Sequence, residues 1–244
     1  MALFVVMLVS LEAGRRLGLY RSRRDGAAAR TGVGVVDGTV YGLLGLLLGF
    51  AFSGAAARFD ARRELVAQEV SAISTAWLRI DVLPSDAQPA IRAGFRSYVD
   101  ALLATFSSRI PPDPYAPSSD AMRAEKEIWT RSVAACMTAE GEKARMLLLP
   151  SVNEMFDAVD RERLARRMHP PRLIFLMLGF MAVAASLFGG YAMSSAPTRN
   201  WMYIIGVAAT ISLAVYVILE LEYPRLGLVQ IDSVDLVQLR ANMN

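Results

Sequence analysis

The stretch DGTVYGLLGLLLGFAFSGAAARFDARR, residues 37–63, decides how this chain folds. Between Gly38 and Ala57 it contains no charged side chain. About 20 predominantly apolar residues are enough to cross a lipid bilayer as a helix. The sequence therefore predicts a transmembrane helix from about Asp37 to Ala57.

Small residues recur along this predicted span. Gly45, Gly49 and Ser53 occupy every fourth position. In a membrane helix this spacing lets a second backbone approach closely. The neighbour is either another helix of the same subunit, which is the commoner use of the motif, or a second copy of the chain. The sequence favours packing inside one subunit and leaves the other possibility open.

The same helix is predicted to continue beyond the membrane. Apolar residues follow at intervals of seven, namely Phe52, Phe59, Val66, Ile73 and Ile80. Such an interval is typical of a helix-packing seam. Neither glycine nor proline interrupts residues 55–83, and Pro84 then ends the pattern. We expect one long helix that begins in the bilayer and leaves it.

The remaining apolar runs complete an all-α integral membrane protein with four transmembrane helices. The first span is predicted at Met1–Tyr20, the third at Leu173–Met193 and the fourth at Asn200–Leu219. Between the second and third spans, amphipathic segments predict an extramembrane antiparallel helical bundle that the extended second helix joins. The predicted segments are residues 1–57 for the first two spans, 58–168 for the bundle, 169–222 for the last two spans and 223–244 for a C-terminal tail.

Three finer expectations concern the bundle and the tail. Pro150 is expected to break the chain between two bundle helices. The tail is expected to form one amphipathic turn on the membrane surface through Leu236, Val237 and Leu239. A polar network inside the bundle is expected from Glu69, Ser71, Ser74, Arg79, Asn153, Asp157 and Arg161.

Composition argues against an enzyme and against a nucleic-acid-binding protein. With one cysteine, Cys136, and one histidine, His169, the chain offers neither an internal disulfide nor a cysteine- or histidine-rich metal site. Because no acid–base pair or phosphate-binding loop is recognisable, we expect no catalytic activity and no cofactor. A net charge of +3 is too small to indicate nucleic acid. The expected partner is the lipid bilayer, and nucleic acid is not expected; the family resemblance described below adds further copies of the chain.

Glu12 lies near the end of the first apolar run. An ionisable residue within a membrane span is a candidate functional group. Arg15 and Arg16 follow three and four residues later, on the same helix face. A local ion pair therefore explains Glu12 as well, and it is the favoured interpretation.

Three stretches carry a family resemblance. They are YGLLGLLLGFAFSGAAARFDARRELVAQEVSAISTAWLRIDVLP at 41–84, LLLPSVNEMFDAVDRERLARRMHPPRLIFLML at 147–178 and YVILELEYPRLGLVQIDSVDL at 216–236. They resemble the bestrophin-like domain family, an uncharacterised group of bacterial membrane proteins. The resemblance covers most of the chain, and it implies a multi-pass protein of a bacterial-type inner membrane.

A remoter resemblance, to the bestrophin anion channels, rests on the second span. The shared pieces are Leu-Leu-Gly at 43–45, Leu-Gly-Phe at 48–50 and an aromatic-Asp pair at 59–60. Bestrophins then carry a tryptophan pair, where this chain has Arg62 and Arg63. Bestrophins are oligomeric channels whose second helix lines the pore and continues into the cytosol. The resemblance therefore implies an oligomeric anion channel with a cytoplasmic bundle.

A pore along the second span would involve two sets of residues. Gly45, Gly49, Phe50 and Phe52 would line it, and the phenylalanines would form a hydrophobic constriction that gates by dewetting. In a protein without a pore the same phenylalanines would face lipid or the core. At the pore exit, anions would be concentrated by Arg58, Arg62 and Arg63, which equally suit lipid headgroups.

The alternative function is a non-conducting scaffold or signalling module whose bundle binds a partner. A pore helix should show a stripe of small or polar residues, whereas a scaffold helix is lipid-exposed all round. Charge does not settle the orientation, because arginines are equally abundant in the first connection and at the flanks of the bundle. The comparison with bestrophins favours a bundle on the cytoplasmic side.

Overall fold

The computed structural model of the protein describes residues 2–25, 33–107, 118–195, 198–224 and 233–243. These residues form helices joined by short connections, which confirms the all-α prediction. The helices are α1 (Ala2–Asp25), α2 (Val33–Arg79), α3 (Gln88–Ser107), α4 (Ser119–Cys136), α5 (Glu142–Arg167), α6 (Arg172–Ala192), α7 (Trp201–Glu222) and α8 (Val234–Ala241), with 3-10 turns at Ile80–Val82 and Met193–Ser195.

The chain forms two compact units. The first unit holds Met1–Arg58 and Pro170–Tyr223, and the second unit holds Phe59–His169 and Pro224–Asn244. Helix α2 is unbroken and contributes to both units. It ends in a 3-10 turn just before Pro84, which cannot continue a helix.

Three stretches of the described chain contain a helix long and apolar enough to cross a membrane. They are Asp37–Val82, Glu142–Ala192 and Trp201–Glu222, and they include the second, third and fourth predicted spans. Helix α1 does not meet the same measure of length and composition. Its apolar run is interrupted by Glu12, Arg15 and Arg16. A fourth span in α1 therefore stays a prediction.

The first unit depends on close backbone packing between α1 and α6. A Cβ atom at Gly14 would lie 2.0 Å from the carbonyl oxygen of Leu187, and one at Gly190 would lie 2.0 Å from the carbonyl oxygen of Leu11. No side chain fits at either point, so only glycine allows the two helices to touch. The packing also buries Met7 and Leu11, together with Ala182 and Ala185 of α6.

This packing predicts opposite effects for two substitutions on α6. Gly190→Ala should lower the unfolding temperature of the detergent-purified protein by several degrees, because the new methyl group must push the α1 backbone away. Gly179→Ala is the matched control, since nothing lies within 4 Å of that position. It should be neutral or stabilising, because alanine favours a helix over glycine by about 1 kcal/mol. Equal unfolding temperatures for the two variants would contradict the proposed contact.

The core of the second unit includes residues from each of its helices. Members fully or almost fully buried are Ile73 on α2, Phe95 on α3, Ile128 on α4, Met155 on α5 and Leu236 on α8. Across the core, the rings of Trp77 and Phe95 meet edge to face, with their centroids 6.1 Å apart.

The C-terminal segment differs from the expectation of an amphipathic turn on the membrane surface. Leu236 and Leu239 are buried in the core of the second unit instead. Polar contacts support this position: Arg240 Nε donates to Asp100 Oδ1 at 2.7 Å, and Arg96 Nε donates to the Met243 carbonyl at 2.6 Å. The apolar stripe of α8 therefore serves packing against α3. The helix is too short for its sequence pattern to distinguish a core from a membrane surface.

We expect the core position of α8 to appear in unfolding measurements. Leu236→Ala should lower the free energy of unfolding by about 2–5 kcal/mol, as for other buried leucines. Val237→Ala removes a mostly exposed neighbour on the same helix and should cost less than about 0.5 kcal/mol. Thermal unfolding followed by tryptophan fluorescence gives both values. If the two variants unfold alike, α8 is not part of the core.

The predicted break at Pro150 is wrong. Helix α5 runs through this proline, and the break lies between α4 and α5 instead. There, a Cβ atom at Gly141 would lie 1.9 Å from the Ala135 carbonyl oxygen, so the turn requires glycine. Pro150 lacks the N–H that would bond to the Met146 carbonyl. The two carbonyls that follow accept from side chains: Arg79 Nη1 donates to Leu147 at 2.9 Å and the Ser151 hydroxyl to Leu148 at 2.7 Å.

Candidate pore helix

Helix α2 presents one face that the described residues of its own protomer leave open. At Gly38, Gly42, Gly45 and Gly49, apart from the adjacent residues and the backbone of α2 itself, no heavy atom of the described residues lies within 4 Å of the point that a Cβ atom would occupy. These glycines share one stripe of the helix, because their spacings of four and three residues follow its turns. We call this stripe, with its exposed neighbours Leu43, Leu46 and Phe50, the open face.

The opposite side of α2 attaches it to the first unit. Leu44 and Ala55 are buried there, and Val40, Tyr41 and Leu48 are partly buried against the same core. Packing inside one subunit, the use favoured for Gly45 and Gly49 from sequence, is therefore not what the described residues show. The side chains that anchor α2 lie one residue away, on a different side of the helix.

The two phenylalanines of the predicted constriction are both exposed, Phe50 by 67% and Phe52 by 48%. They do not point the same way, because residues two apart on a helix lie on nearly opposite sides. Phe50 extends the exposed row of Leu43 and Leu46, at intervals of four and seven residues. Phe52 lies on the other edge of the glycine stripe. Only one of the two can project toward a given axis.

The three arginines that follow the span have three different environments. Arg58 Nε and Nη2 each lie 2.9 Å from Glu222 Oε2 at the end of α7. Arg62 is only 4% exposed, and its Nη2 donates to the Met168 carbonyl at 3.3 Å. Arg63 is exposed. Arg58 and Arg62 thus make contacts within the protomer, and Arg63 is the member that faces outward.

Glu222 is the residue of this group that the sequence did not reveal. The Glu222 side chain is fully buried, and Arg58 provides its countercharge. A buried carboxylate is stable only when it is paired or protonated. The sequence does show that Arg58 and Glu222 each come at the end of an apolar run of about 20 residues, which predicts that both lie at a membrane boundary. Nothing in the sequence, however, specified that α2 and α7 are neighbours.

Glu12 makes two ion pairs in the first unit. Its Oε1 lies 2.9 Å from Arg16 Nε, one helical turn along α1, and 3.0 Å from Arg199 Nη2, just before α7. The first contact is of the local kind expected from sequence. The second joins segments 187 residues apart, and no local pattern predicts it.

The polar network expected inside the second unit is mostly on its surface. Asn153, Asp157 and Arg161 are exposed, and they bond to one another or to neighbours on α5. Glu69 is the member that is fully buried. The described residues contain no cluster of three or more histidine, cysteine, aspartate or glutamate side chains that could hold a metal ion.

Comparison with known proteins agrees with this architecture. A family model, the bestrophin-like domain, matches residues 2–236. The chain belongs to the bestrophin-like domain family. Membership covers nearly the whole chain, including both compact units and the helix that joins them, and it confirms the family predicted from sequence. No curated protein sequence matches this bestrophin-like chain significantly.

A solved structure is similar to the bestrophin-like chain along its whole length. It is the crystal structure of a mutant of a bacterial bestrophin homolog from Klebsiella pneumoniae. The TM-score is 0.71 at 13% sequence identity, and the match covers 98% of this chain and 97% of that chain. At such low identity the likeness shows the fold alone.

The partly buried ion pair between Arg58 on α2 and Glu222 on α7 can be tested by a double-mutant cycle. Arg58→Ala and Glu222→Ala should each destabilise the protein, and the double variant should be less affected than the sum of the two. We expect a coupling of about 1–3 kcal/mol, as for residues in direct contact. Arg63→Ala, on the same helix, should change the free energy of unfolding by less than about 0.5 kcal/mol. Additive effects at positions 58 and 222 would mean that the pair does not form.

Proposed function

We propose that this protein is an oligomeric ion channel of the bestrophin type in a bacterial-type inner membrane, with α2 lining the pore. The observation that carries the proposal is the open face of α2, an apolar and glycine-rich surface that the described residues of the protomer do not cover. Anions are the proposed permeant ions, as the family name implies. The protein is not proposed to be an enzyme, and neither a cofactor nor nucleic acid enters the proposal.

The open face supports assembly of several copies. Each glycine lowers the stability of a helix by about 1 kcal/mol relative to alanine, and contact with lipid does not offset this loss. Four such positions on one side of α2 therefore favour a close neighbour or a lumen over lipid. Since the described residues of the protomer supply no neighbour there, a second copy of the chain is the proposed partner. Closed rings arise when identical subunits repeat such a contact by rotation.

Within the open face, Phe50 is the best candidate for a hydrophobic constriction. It is more exposed than Phe52, and it continues the row formed by Leu43 and Leu46. In a ring, one such phenylalanine from each subunit would narrow the pore and oppose its filling with water. Phe52 would then lie toward the neighbouring subunit.

The arginines are proposed to act unequally at the pore exit. The charge of Arg58 is balanced by Glu222, and Arg62 is buried. Arg63 is exposed and would contribute most to a positive field that attracts anions. If the second unit does not surround a pore, Arg63 is a headgroup contact instead.

The proposed topology has four spans, with α1 as the first and with the second unit on the cytoplasmic side between the second and third. Packing of α1 along α6 places it beside a helix that is apolar enough to cross the membrane. Its outer surface carries Val5, Val6 and Val9. The charge of Glu12, which would oppose insertion, is compensated by Arg16 and Arg199.

A second candidate is a non-conducting scaffold or signalling module whose helical bundle binds a partner. Exposed Met122 and Trp129 on α4 favour it, because they border a groove on the second unit. This candidate needs neither a ring nor a lumen, so the oligomeric state and the conductance separate the two.

The test begins with the mass of detergent-purified protein by native mass spectrometry, followed by conductance in planar bilayers. We expect a closed ring that conducts. Phe50→Ala should raise the conductance several-fold, because it removes the proposed hydrophobic barrier. Phe180→Ala is the control, an equally exposed phenylalanine on α6, and should conduct like the unmodified protein.

Two outcomes would contradict the channel. A monomer would exclude a shared pore, and a ring without conductance would favour the scaffold. A conducting ring in which Phe50→Ala and Phe180→Ala behave alike would keep the channel and remove Phe50 from its constriction.

A further inference from the structure

Glu69 is an unusual residue in the core of the second unit. Its side chain, on α2, is fully buried, and neither carboxylate oxygen has a hydrogen-bond partner among the described residues. Buried polar atoms are nearly always hydrogen-bonded, and an ionised carboxylate without a partner is especially costly. Such a group persists in a core either by binding a cation or by remaining protonated.

The cations nearest to Glu69 are already engaged with other carboxylates. Arg166 on α5 forms an ion pair with Glu162, which is itself 2% exposed. Arg163 lies 3.1 Å from Asp160 and 3.8 Å from Glu125 on α4. Of the two buried carboxylates, Glu162 therefore has an ion pair with Arg166, and Glu69 has neither an ion pair nor a hydrogen bond among the described residues.

The third helix packed in this region adds a hydroxyl group. Tyr98 on α3 is fully buried, and its hydroxyl has no hydrogen-bond partner in the described structure. Burial and the nearby charge of Glu69 both raise the pKa of Tyr98, so its phenol stays neutral. A protonated Glu69 carries no charge, so it needs no cation beside it to remain in the core.

Desolvation and the charge of Glu162 raise the pKa of Glu69 to about 7, although Arg166 and Arg163 act in the opposite direction. The arrangement of the neighbouring groups leads to the same result, because no cation of the described residues forms an ion pair with Glu69.

We propose that Glu69 is a proton-binding site: the second unit is packed around the neutral carboxylic acid, and loss of the proton loosens α2 from α5 and α3. The site is independent of any pore. If α2 also lines a pore, as proposed above, proton release acts on the helix that carries the open face, because α2 is unbroken from Val33 to Arg79.

The direction of the pH effect follows from the raised pKa. In the unfolded chain Glu69 loses its proton near its ordinary pKa of 4.5, whereas in the folded protein it keeps the proton to about pH 7. The contribution of Glu69 to stability is therefore intact below pH 4.5, declines as the pH rises toward 7, and then stays at its lower level.

The test compares thermal unfolding of the full chain in lipid nanodiscs from about pH 3.5, where the proton is bound in both states, to about pH 8.5. Glu69→Gln replaces the neutral acid by a neutral amide of the same shape. Its unfolding temperature should match that of the unmodified protein at low pH and exceed it by a growing margin up to about pH 7. Glu64→Gln, an exposed glutamate on the same helix, should follow the unmodified protein at every pH. Parallel curves for Glu69→Gln and the unmodified protein would overturn the proposal.

A second measurement does not depend on the Gln variant folding. The infrared C=O band of a protonated carboxylic acid should be present in the unmodified protein at about pH 6 and disappear with a midpoint near 7. Glu162→Gln removes the repelling charge and should shift this midpoint to lower pH. Absence of the band from the unmodified protein at about pH 6 would overturn the proposal. Stabilisation by Ca²⁺ at alkaline pH that is lost in Glu69→Gln would also overturn it, because it would identify a metal site instead.

These readouts use no conductance, so the two proposals fail separately. A conducting ring with no pH-dependent difference at Glu69 removes only the proton site. A titrating Glu69 in a protein that does not conduct removes only the channel.

Discussion

The continuity of α2 is the constraint on which the rest of the structure depends. A helix that crosses lipid must satisfy every backbone hydrogen bond internally, so it cannot stop until it reaches water or protein. In this chain the helix persists to Arg79, well past its apolar part. One element therefore carries the open face in the first unit and the buried Glu69 in the second. The residues of α2 therefore change from an apolar exposed surface in the first unit to core residues in the second, and the helix is not interrupted between them.

Features that depend on local sequence could be predicted. The uninterrupted run before Pro84 predicted the unbroken helix, and the exclusive use of helical patterns predicted the all-α fold. A local sequence rule also gave one wrong prediction, the position of the helix break near Pro150. A proline normally ends or kinks a helix, yet α5 continues through Pro150, where Arg79 and Ser151 donate to nearby carbonyls. The real break, at Gly141, needs glycine because of a close backbone contact that has no pattern in the sequence.

Features that depend on long-range pairing could not be predicted. The sequence pointed to Arg58, Arg62 and Arg63 as one group, because they cluster within six residues. Their environments differ because each faces a different part of the folded chain, and the partner of Arg58 is 164 residues away. The burial of Glu69 likewise depends on how α2, α3 and α5 pack. The glycine spacing predicted a close-approach stripe on α2, but its direction relative to the first unit depends on the packing of Leu44.

The contact between α1 and α6 has a consequence for biogenesis. The ribosome makes α1 first, but its glycine-lined partner surface on α6 is made only after all of Phe59–His169 has been synthesised. Helix α1 therefore lacks its α6 partner, with Gly14 and Gly18 not yet covered, while the second unit is being made. The second unit waits in turn for α8, whose Leu236 completes its core. Maturation of the two units is thus interleaved, and neither can finish before the segments that follow residue 170 have been made.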